Sequence, residues 1–152
     1  MRRVRRPKEK DAIFMSLTSN ENESIIEYLS DVFTLAACIG FKYGKHVPFE
    51  KTSEQIRWDA FREHGQVALR MIAFSHTKDP EVLLQGNEKG EDKMLETVEG
   101  FANGGCEILK KKIIEAEESG TDRLTAITEL IMMGYEDKES VSSEEILKQF
   151  IK

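Results

Sequence analysis

The sequence predicts an all-α (mostly α) fold: a compact multi-helix domain of about six helices, with room for one short β-hairpin or extended segment near residues 41–49. Its 152 residues match one ordinary domain, and a hydrophobic content of 39% can form one core without metals or disulfides. Charged residues make up 33% and aromatic residues 8% of the chain, which favours solvated helices over a β-sandwich. Apolar residues also recur at helical spacing.

The N-terminal segment divides into an arm and a helix. Residues 1–6 form a basic arm, and Pro7 suits the first turn of a helix because its missing N–H needs no partner there. The helix is expected to end near residue 17, before a polar turn at 18–22. Its apolar stripe consists of Ile13, Phe14 and Leu17.

The second predicted helix is the most apolar segment of the chain. Ser24 can cap its start, with Glu27 three residues later completing a capping box. Residues 32–39 are almost wholly apolar, which indicates the central helix of the fold. Gly40 then stands where a left-handed C-terminal cap is wanted.

The middle of the chain alternates loops and helices. Gly44 and Pro48 interrupt the helical spacing, so a structured loop is expected, with an extended piece at 46–49. A short helix capped by Thr52 or Ser53 is then predicted to reach residue 61. A dense apolar run predicts a further helix over 67–76, followed by a buried turn at 82–84 and a loop over 85–90.

A long helix is predicted from about Glu91, interrupted by Gly100, Gly104 and Gly105. Each glycine costs about 1 kcal/mol relative to alanine inside a helix, so a kink or a close helix–helix contact is expected near residue 104. Thr121 is the predicted cap of the last strong helix, which Gly134 ends. Its inward side chains are expected to be Leu124, Ile127, Leu130 and Ile131.

These elements divide the chain into three parts: the basic N-terminal arm at 1–6, a helical domain at 7–135, and residues 136–152. The last part is predicted to be a polar linker followed by a short amphipathic helix, which Ser142 or Ser143 can cap. Its apolar positions are Ile146, Leu147, Phe150 and Ile151.

The charge of the chain is distributed unevenly. Its formal net charge is −6, yet the first ten residues carry six basic side chains and one acid, so the rest carries −11. Phosphate repels an acidic surface, so any contact with nucleic acid has to be local, through the arm or a patch.

Both cysteines fall inside apolar helical patterns. Cys38 and Cys106 are therefore predicted to be small buried hydrophobic residues rather than a disulfide. The apolar stretch at 12–15 is too short for a secretion signal, and no run of about 20 apolar residues occurs. We expect a cytoplasmic protein that does not insert into a membrane.

No pattern in the chain predicts an active site, a metal site or a cofactor. His46, His64 and His76 lie on different predicted elements, and neither a His-x-x-x-His nor a Cys-x-x-Cys pair occurs. The glycines of 86–90 and 103–105 lack the spacing of a phosphate-binding loop and follow no predicted strand. We therefore expect no catalytic residues, no metal ligands and no cofactor.

Two basic features are candidate DNA- or partner-binding surfaces. In the arm, arginines without regular spacing suit contact with phosphates or an acidic partner rather than packing. Residues 42–62 place cations beside aromatic side chains, which is typical of nucleic-acid-binding surfaces. The second feature also fits an ordinary core edge, with Trp58 buried and Arg57 bound to a carboxylate. The candidate residues are Arg2, Arg3, Arg5, Arg6, Lys8, Lys42, Lys45, His46, Arg57, Trp58 and Arg62.

Three segments carry a family resemblance: residues 31–49, which run from Asp-Val-Phe-Thr-Leu to Lys-His-Val-Pro-Phe, residues 56–61, Ile-Arg-Trp-Asp-Ala-Phe, and residues 101–109, Phe-Ala-Asn-Gly-Gly-Cys-Glu-Ile-Leu. Together they resemble the DNA phosphorothioation-associated protein 4 family, also called Dnd system-associated protein 4. The resemblance covers roughly residues 5–135 and leaves the tail outside.

The resemblance implies a role in a bacterial anti-phage defence system that modifies the DNA backbone with sulfur and couples restriction to it. It carries no established activity, so no catalytic residue is transferred. The favoured hypothesis is a non-enzymatic accessory subunit that binds larger modification or restriction proteins of the same gene cluster, with DNA or a second copy as further partners. The alternative is a DNA-binding or regulatory protein of that system, and a small nuclease or other enzyme is least favoured.

Overall fold

A computed structural model describes residues 1–18 and 25–134, and within these ranges the chain folds into five α-helices around one core. The predicted mostly-α fold is confirmed. The predicted C-terminal helix lies outside the described residues. The helices are α1 (Asp11–Thr18), α2 (Leu29–Lys42), α3 (Glu63–Thr77), α4 (Glu88–Ser119) and α5 (Arg123–Met132), and short 3-10 turns span Lys8–Lys10, Trp58–Ala60 and Pro80–Leu83.

Helix α4 is the centre of the fold. Its 32 residues contact each of the other four helices, and its most extensive contact is with α2. The prediction that the apolar run 32–39 marks the central helix is therefore wrong. The middle of α4 is buried on all sides although its composition is mixed, because small residues there let neighbouring backbones approach closely.

Glycines form the contact between α2 and α4. A methyl group added to Gly105 would overlap the carbonyl oxygen of Ala36, and one added to Gly40 would overlap the carbonyl oxygen of Phe101. The helices therefore meet backbone to backbone, which only residues without a Cβ allow. The close contact expected near residue 104 is confirmed.

The ends of α2 differ from the prediction. The predicted cap Ser24 lies outside the described residues, and the helix begins at Leu29. Residues 25–28 before it are not helical, and the Ile26 N–H there donates a hydrogen bond to the Leu17 carbonyl oxygen of α1, at 3.3 Å. Helix α2 continues through Gly40 to Lys42, since Gly40 serves the contact with α4. The left-handed residue is Gly44, with φ of +66°.

Helices α4 and α5 start at side-chain caps that differ from those predicted. The Asn87 side chain accepts a hydrogen bond from the Gly90 N–H at 3.0 Å, so α4 starts at Glu88 and the predicted loop over 85–90 is shorter. The Asp122 side chain, rather than Thr121, accepts from the Thr125 N–H at 2.8 Å and begins α5. Each cap satisfies a backbone donor that the first helical turn leaves unpaired.

The extended structure lies elsewhere than predicted. Residues 45–50 form no strand or hairpin. Instead, isolated antiparallel bridges join Val4 to Ile56 and Pro7 to Thr52. The helix predicted to begin at Thr52 or Ser53 is therefore reduced to the 3-10 turn Trp58–Ala60, because the backbone over 52–56 pairs with the N-terminal arm.

Several apolar side chains are more exposed than their helical spacing indicates. Leu124 is 60% exposed and Ile131 42%, so the inward face of α5 is formed by Ala126, Ile127 and Leu130.

The two cysteines differ from each other in exposure. Both are free thiols, and Cys106 is buried as predicted, but the prediction for Cys38 is wrong because that residue is exposed.

No helix within the described ranges is both long enough and apolar enough to cross a membrane.

Candidate functional site

The N-terminal arm is docked on α4 through a buried carboxylate. Glu99 has a side chain only 2% exposed. Its two oxygens accept hydrogen bonds from the two Nη atoms of Arg2, both at 2.8 Å, and from the Nη2 atom of Arg5 at 3.0 Å. The Arg5 backbone N–H donates to the same carboxylate at 2.6 Å. These hydrogen bonds from Arg2 to Glu99 raise the pKa of the Arg2 guanidinium.

Arg6 is fully buried within the fold. Its Nη1 atom lies 3.0 Å from Oδ1 of Asp11, and its Nε donates to the Glu54 carbonyl oxygen at 2.7 Å. Its guanidinium also lies over the ring of Phe14, 4.9 Å from the ring centroid. Arg6 therefore joins the arm to α1 and to the segment that pairs with it.

These contacts show that the arm packs, contrary to the expectation that its arginines suit surface contacts rather than packing. The charge of Arg2 and Arg5 is matched by Glu99, and that of Arg6 by Asp11. Arg3 and Lys8 remain exposed at the surface. The acidic partner that the arm contacts is therefore Glu99 on α4 of the same chain.

The second set of predicted residues does not form one continuous basic face. The Nζ atom of Lys45 lies 2.7 Å from Glu107, which also binds Lys10 at 3.4 Å. The hydrogen bond from Lys45 is the main reason why the pKa of Glu107 lies below its usual value. The Nζ atom of Lys42 donates to the Leu130 carbonyl oxygen at 3.1 Å, at the end of α5.

Trp58 and the arginines near it lie at the edge of the core. This is the alternative to a nucleic-acid-binding surface that the sequence also allowed for residues 42–62. Trp58 is partly buried, 5.6 Å from the ring of Phe61, and the guanidinium of Arg70 lies 5.2 Å from its ring centroid. Arg57 is bound to Asp59 at 2.6 Å. Arg62 lies 3.7 Å from a carboxylate oxygen of Asp31, at the start of α2.

An apolar groove lies along the outer face of α2. Its volume is about 870 Å³. Two of the predicted binding residues line it: Lys42, the last residue of α2, and Arg62, which lies 3.7 Å from Asp31 near the start of that helix. Its uncharged lining residues on α2, which we call its floor, are Thr34, Leu35, Cys38, Ile39 and Phe41. Residues at and just after the end of α5 line it as well. The lining residues are Asp31, Thr34, Leu35, Cys38, Ile39, Phe41, Lys42, Arg62, His64, Gly65, Ile131, Met133 and Gly134.

This groove is not among the features predicted from the sequence, although the sequence carries a signal for it. A helix packed on one side needs one apolar stripe, whereas the run 32–39 is apolar on nearly every side. Ala36 and Gly40 face α4, and Leu35 and Cys38 face the groove. The surplus apolar face of α2 is therefore the feature that best marks a binding surface.

Two histidines, His46 in the loop after α2 and His76 near the end of α3, form a separate aromatic cluster with Phe101. The rings of His46 and His76 are stacked with their centroids 5.6 Å apart. Each ring also makes a T-shaped contact with the ring of Phe101, with centroid distances of 4.8 Å for His46 and 4.9 Å for His76. His46 and His76 are both exposed at the surface, but partial burial of the His46 ring against α4 lowers its pKa, and the neighbouring His76 lowers it further. His46 also lies directly against the backbone of α4, where a Cβ on Gly100 would overlap its ring.

We expect this cluster to make stability depend on pH. The pKa of His46 is lower in the folded chain than in the unfolded chain. The contribution of neutral His46 to the free energy of unfolding is therefore complete above about pH 6.5, and it is lost as the pH falls through the pKa of the folded chain. Urea denaturation at pH 7.5 and 5.5 should show lower stability at pH 5.5. The variant His46→Gln should reduce that difference, whereas His64→Gln, at the exposed start of α3, should leave it unchanged. An equal reduction in both variants would contradict the assignment.

Within the described ranges, no group of three or more His, Cys, Asp or Glu side chains is placed to hold a metal ion.

Comparison with known protein families gives a match. The family model described as DNA sulphur modification system-associated protein 4 matches residues 3–150. This is the family that the sequence resembles, and the match extends through most of the C-terminal segment, which the resemblance left outside. No curated protein and no solved structure matches the chain.

Proposed function

The chain belongs to the DNA sulphur modification system-associated protein 4 family, and on this basis we propose that it is a non-enzymatic accessory subunit of a restriction-linked, anti-phage form of that system. Its partners are larger modification or restriction proteins of the same gene cluster. Its task is to bind one of them through the groove along α2.

The exposed apolar face of α2 is the observation that carries this proposal. Leu35 and Cys38 lie next to each other on the groove floor, beside the aromatic ring of Phe41, which is 39% exposed. Apolar patches of this kind, rimmed by charged residues, are typical of protein-binding surfaces. Apolar grooves along a helix can bind an amphipathic helix of a partner, whose apolar side chains would fill the groove at helical spacing.

Size-exclusion chromatography with light scattering, on the chain mixed with each protein encoded nearby, tests the proposal. We expect one of these proteins to co-elute with the chain. The variant Cys38→Glu places a charge on the groove floor, so it should weaken the association at least about tenfold. The matched control is Ile114→Glu, which puts the same charge on an exposed apolar position of α4 outside the groove. The absence of any association, or equal weakening by both variants, would count against the proposal.

A second candidate function is contact with DNA, supported by exposed cations beside the docked arm. The antiparallel bridge between Val4 and Ile56 brings their neighbours Arg3 and Arg57 side by side at the surface, and Lys8 follows in the 3-10 turn after the arm. Contacts of this kind would involve phosphates and no particular base sequence. The affinity for DNA, measured at rising salt concentration, tests this function. A steep fall in affinity would indicate contact with phosphates and distinguish it from binding through the apolar groove.

A further inference from the structure

The described chain ends at the groove. Helix α5 stops at Met132, and the next two residues, Met133 and Gly134, form part of the groove lining. Gly134 has φ of +92°, so the chain turns there. The segment that follows, residues 135–152, is therefore tethered to the rim of the groove, at the end where Lys42 lies.

The sequence of that segment matches the chemistry of the groove. Ile146, Leu147, Phe150 and Ile151 fall on one side of a helix, with Glu144 and Glu145 before them. The groove is apolar along its floor and carries the basic side chains Lys42, Arg62 and His64 at its rim against the single acid Asp31. The family model also runs to residue 150, so it includes this segment.

We propose that residues 143–151 of the same chain form an amphipathic helix that docks in the groove along α2. The dimensions agree. Nine residues of helix are about 13 Å long, and the part of α2 between Asp31 and Lys42 measures about 16 Å. The connecting residues 135–142 can span up to about 27 Å when extended, so the helix can start at either end of the groove.

The docked segment gives the groove a built-in competitor. A partner that uses the groove has to displace residues 143–151, and its apparent affinity is reduced by the fraction of chains in which the segment is docked. This inference concerns the chain alone. It stands or fails independently of whether a protein of the same gene cluster binds the groove.

Labelling of the two thiols with 5,5′-dithiobis(2-nitrobenzoic acid) tests the docking in the full chain. Cys38 lies on the groove floor and is covered when the segment docks, whereas Cys106 lies in the core, where burial raises its thiol pKa to about 12. Cys106 therefore serves as an internal control that reports global unfolding.

The variant Phe150→Asp places a charge on the apolar face of the segment, and Gln149→Asp places the same charge on its polar face. If the segment is docked in nine chains out of ten, Phe150→Asp should speed the labelling of Cys38 about tenfold, because the thiol reacts only in the open state. Gln149→Asp should leave the rate close to that of the unchanged chain. Cys106 should stay unlabelled in all three proteins.

Three results would overturn the inference. Equal labelling rates in all three proteins would show that the segment does not cover Cys38. Equal acceleration by both variants would show that the added charge, rather than the lost apolar contact, is responsible. Protection that disappears on dilution, together with a dimer mass in light scattering, would show that the segment of a second copy occupies the groove.

Discussion

Replacing Gly105 with alanine is expected to lower the free energy of unfolding by about 2 kcal/mol or more. Two effects oppose each other. Alanine favours a helix over glycine by about 1 kcal/mol, which alone would stabilise α4. Its methyl group, however, would overlap the Ala36 carbonyl oxygen and approach the backbone nitrogen of Gly40. Overpacking a tight contact costs about 1–3 kcal/mol, occasionally more, and the high end applies because backbone atoms cannot rotate away.

Gly65→Ala is the matched control for this prediction. Gly65 also lies in a helix, but the methyl group there would meet only the side chain of Thr34, at 3.2 Å. That side chain can adjust, so the change in stability should stay within about 1 kcal/mol in either direction. Urea denaturation followed by circular dichroism at 222 nm measures both variants. If Gly105→Ala were as stable as Gly65→Ala, the backbone contact between α2 and α4 would not have the proposed role.

The contact between α2 and α4 also shows what the sequence can predict. The helices themselves follow from local spacing of apolar residues, and three glycines in one long helix predict either a kink or a close neighbour. The identity of that neighbour depends on which backbone fits against the glycines, and this is a property of the folded chain. Gly40 illustrates the difficulty, because the residue that looks like a helix end in the sequence is an interior contact in the fold.

The candidate site was only partly predictable for a similar reason. The basic composition of the arm is evident from the sequence, but its docking depends on Glu99, which is distant in the chain and adjacent in space. The available signal was a carboxylate within the most apolar part of α4, between Val98 and Phe101. A charge in such a position is rarely buried unless it is paired, and the surplus of arginines in the arm offers the partners for it.

Glu99→Ala is the second variant with a large expected effect, a loss of about 3 kcal/mol in the free energy of unfolding. The carboxylate is buried, and its removal leaves the Arg5 backbone N–H and two guanidinium groups without their acceptor. The expected loss is at the low end for breaking a buried ion pair, because Arg2 and Arg5 each keep about a third of their side chain exposed to water.

Glu96→Ala is the control, since Glu96 is an exposed acid on the same helix and lies one turn away. It should change stability by less than about 0.5 kcal/mol, as surface substitutions usually do. Hydrogen exchange supplies a second readout. In Glu99→Ala the amides of Val4 and Ile56, which bond to each other's carbonyl oxygens at 2.8 Å, should exchange faster than those of α4. Unchanged protection at both amides would show that Glu99 does not hold the arm in place.

The role of Glu99 also determines how DNA contact through the arm has to be tested. Deleting residues 1–6 would remove Arg2, Arg5 and the buried Arg6 together, so a loss of DNA binding could result from damage to the fold. The exposed cations Arg3 and Lys8 can be replaced by alanine without disturbing those contacts. If the arm binds DNA in its docked form, these two substitutions should weaken binding. If instead the arm must leave α4, Glu99→Ala should strengthen binding, because it frees two arginines that the folded chain holds against its own carboxylate.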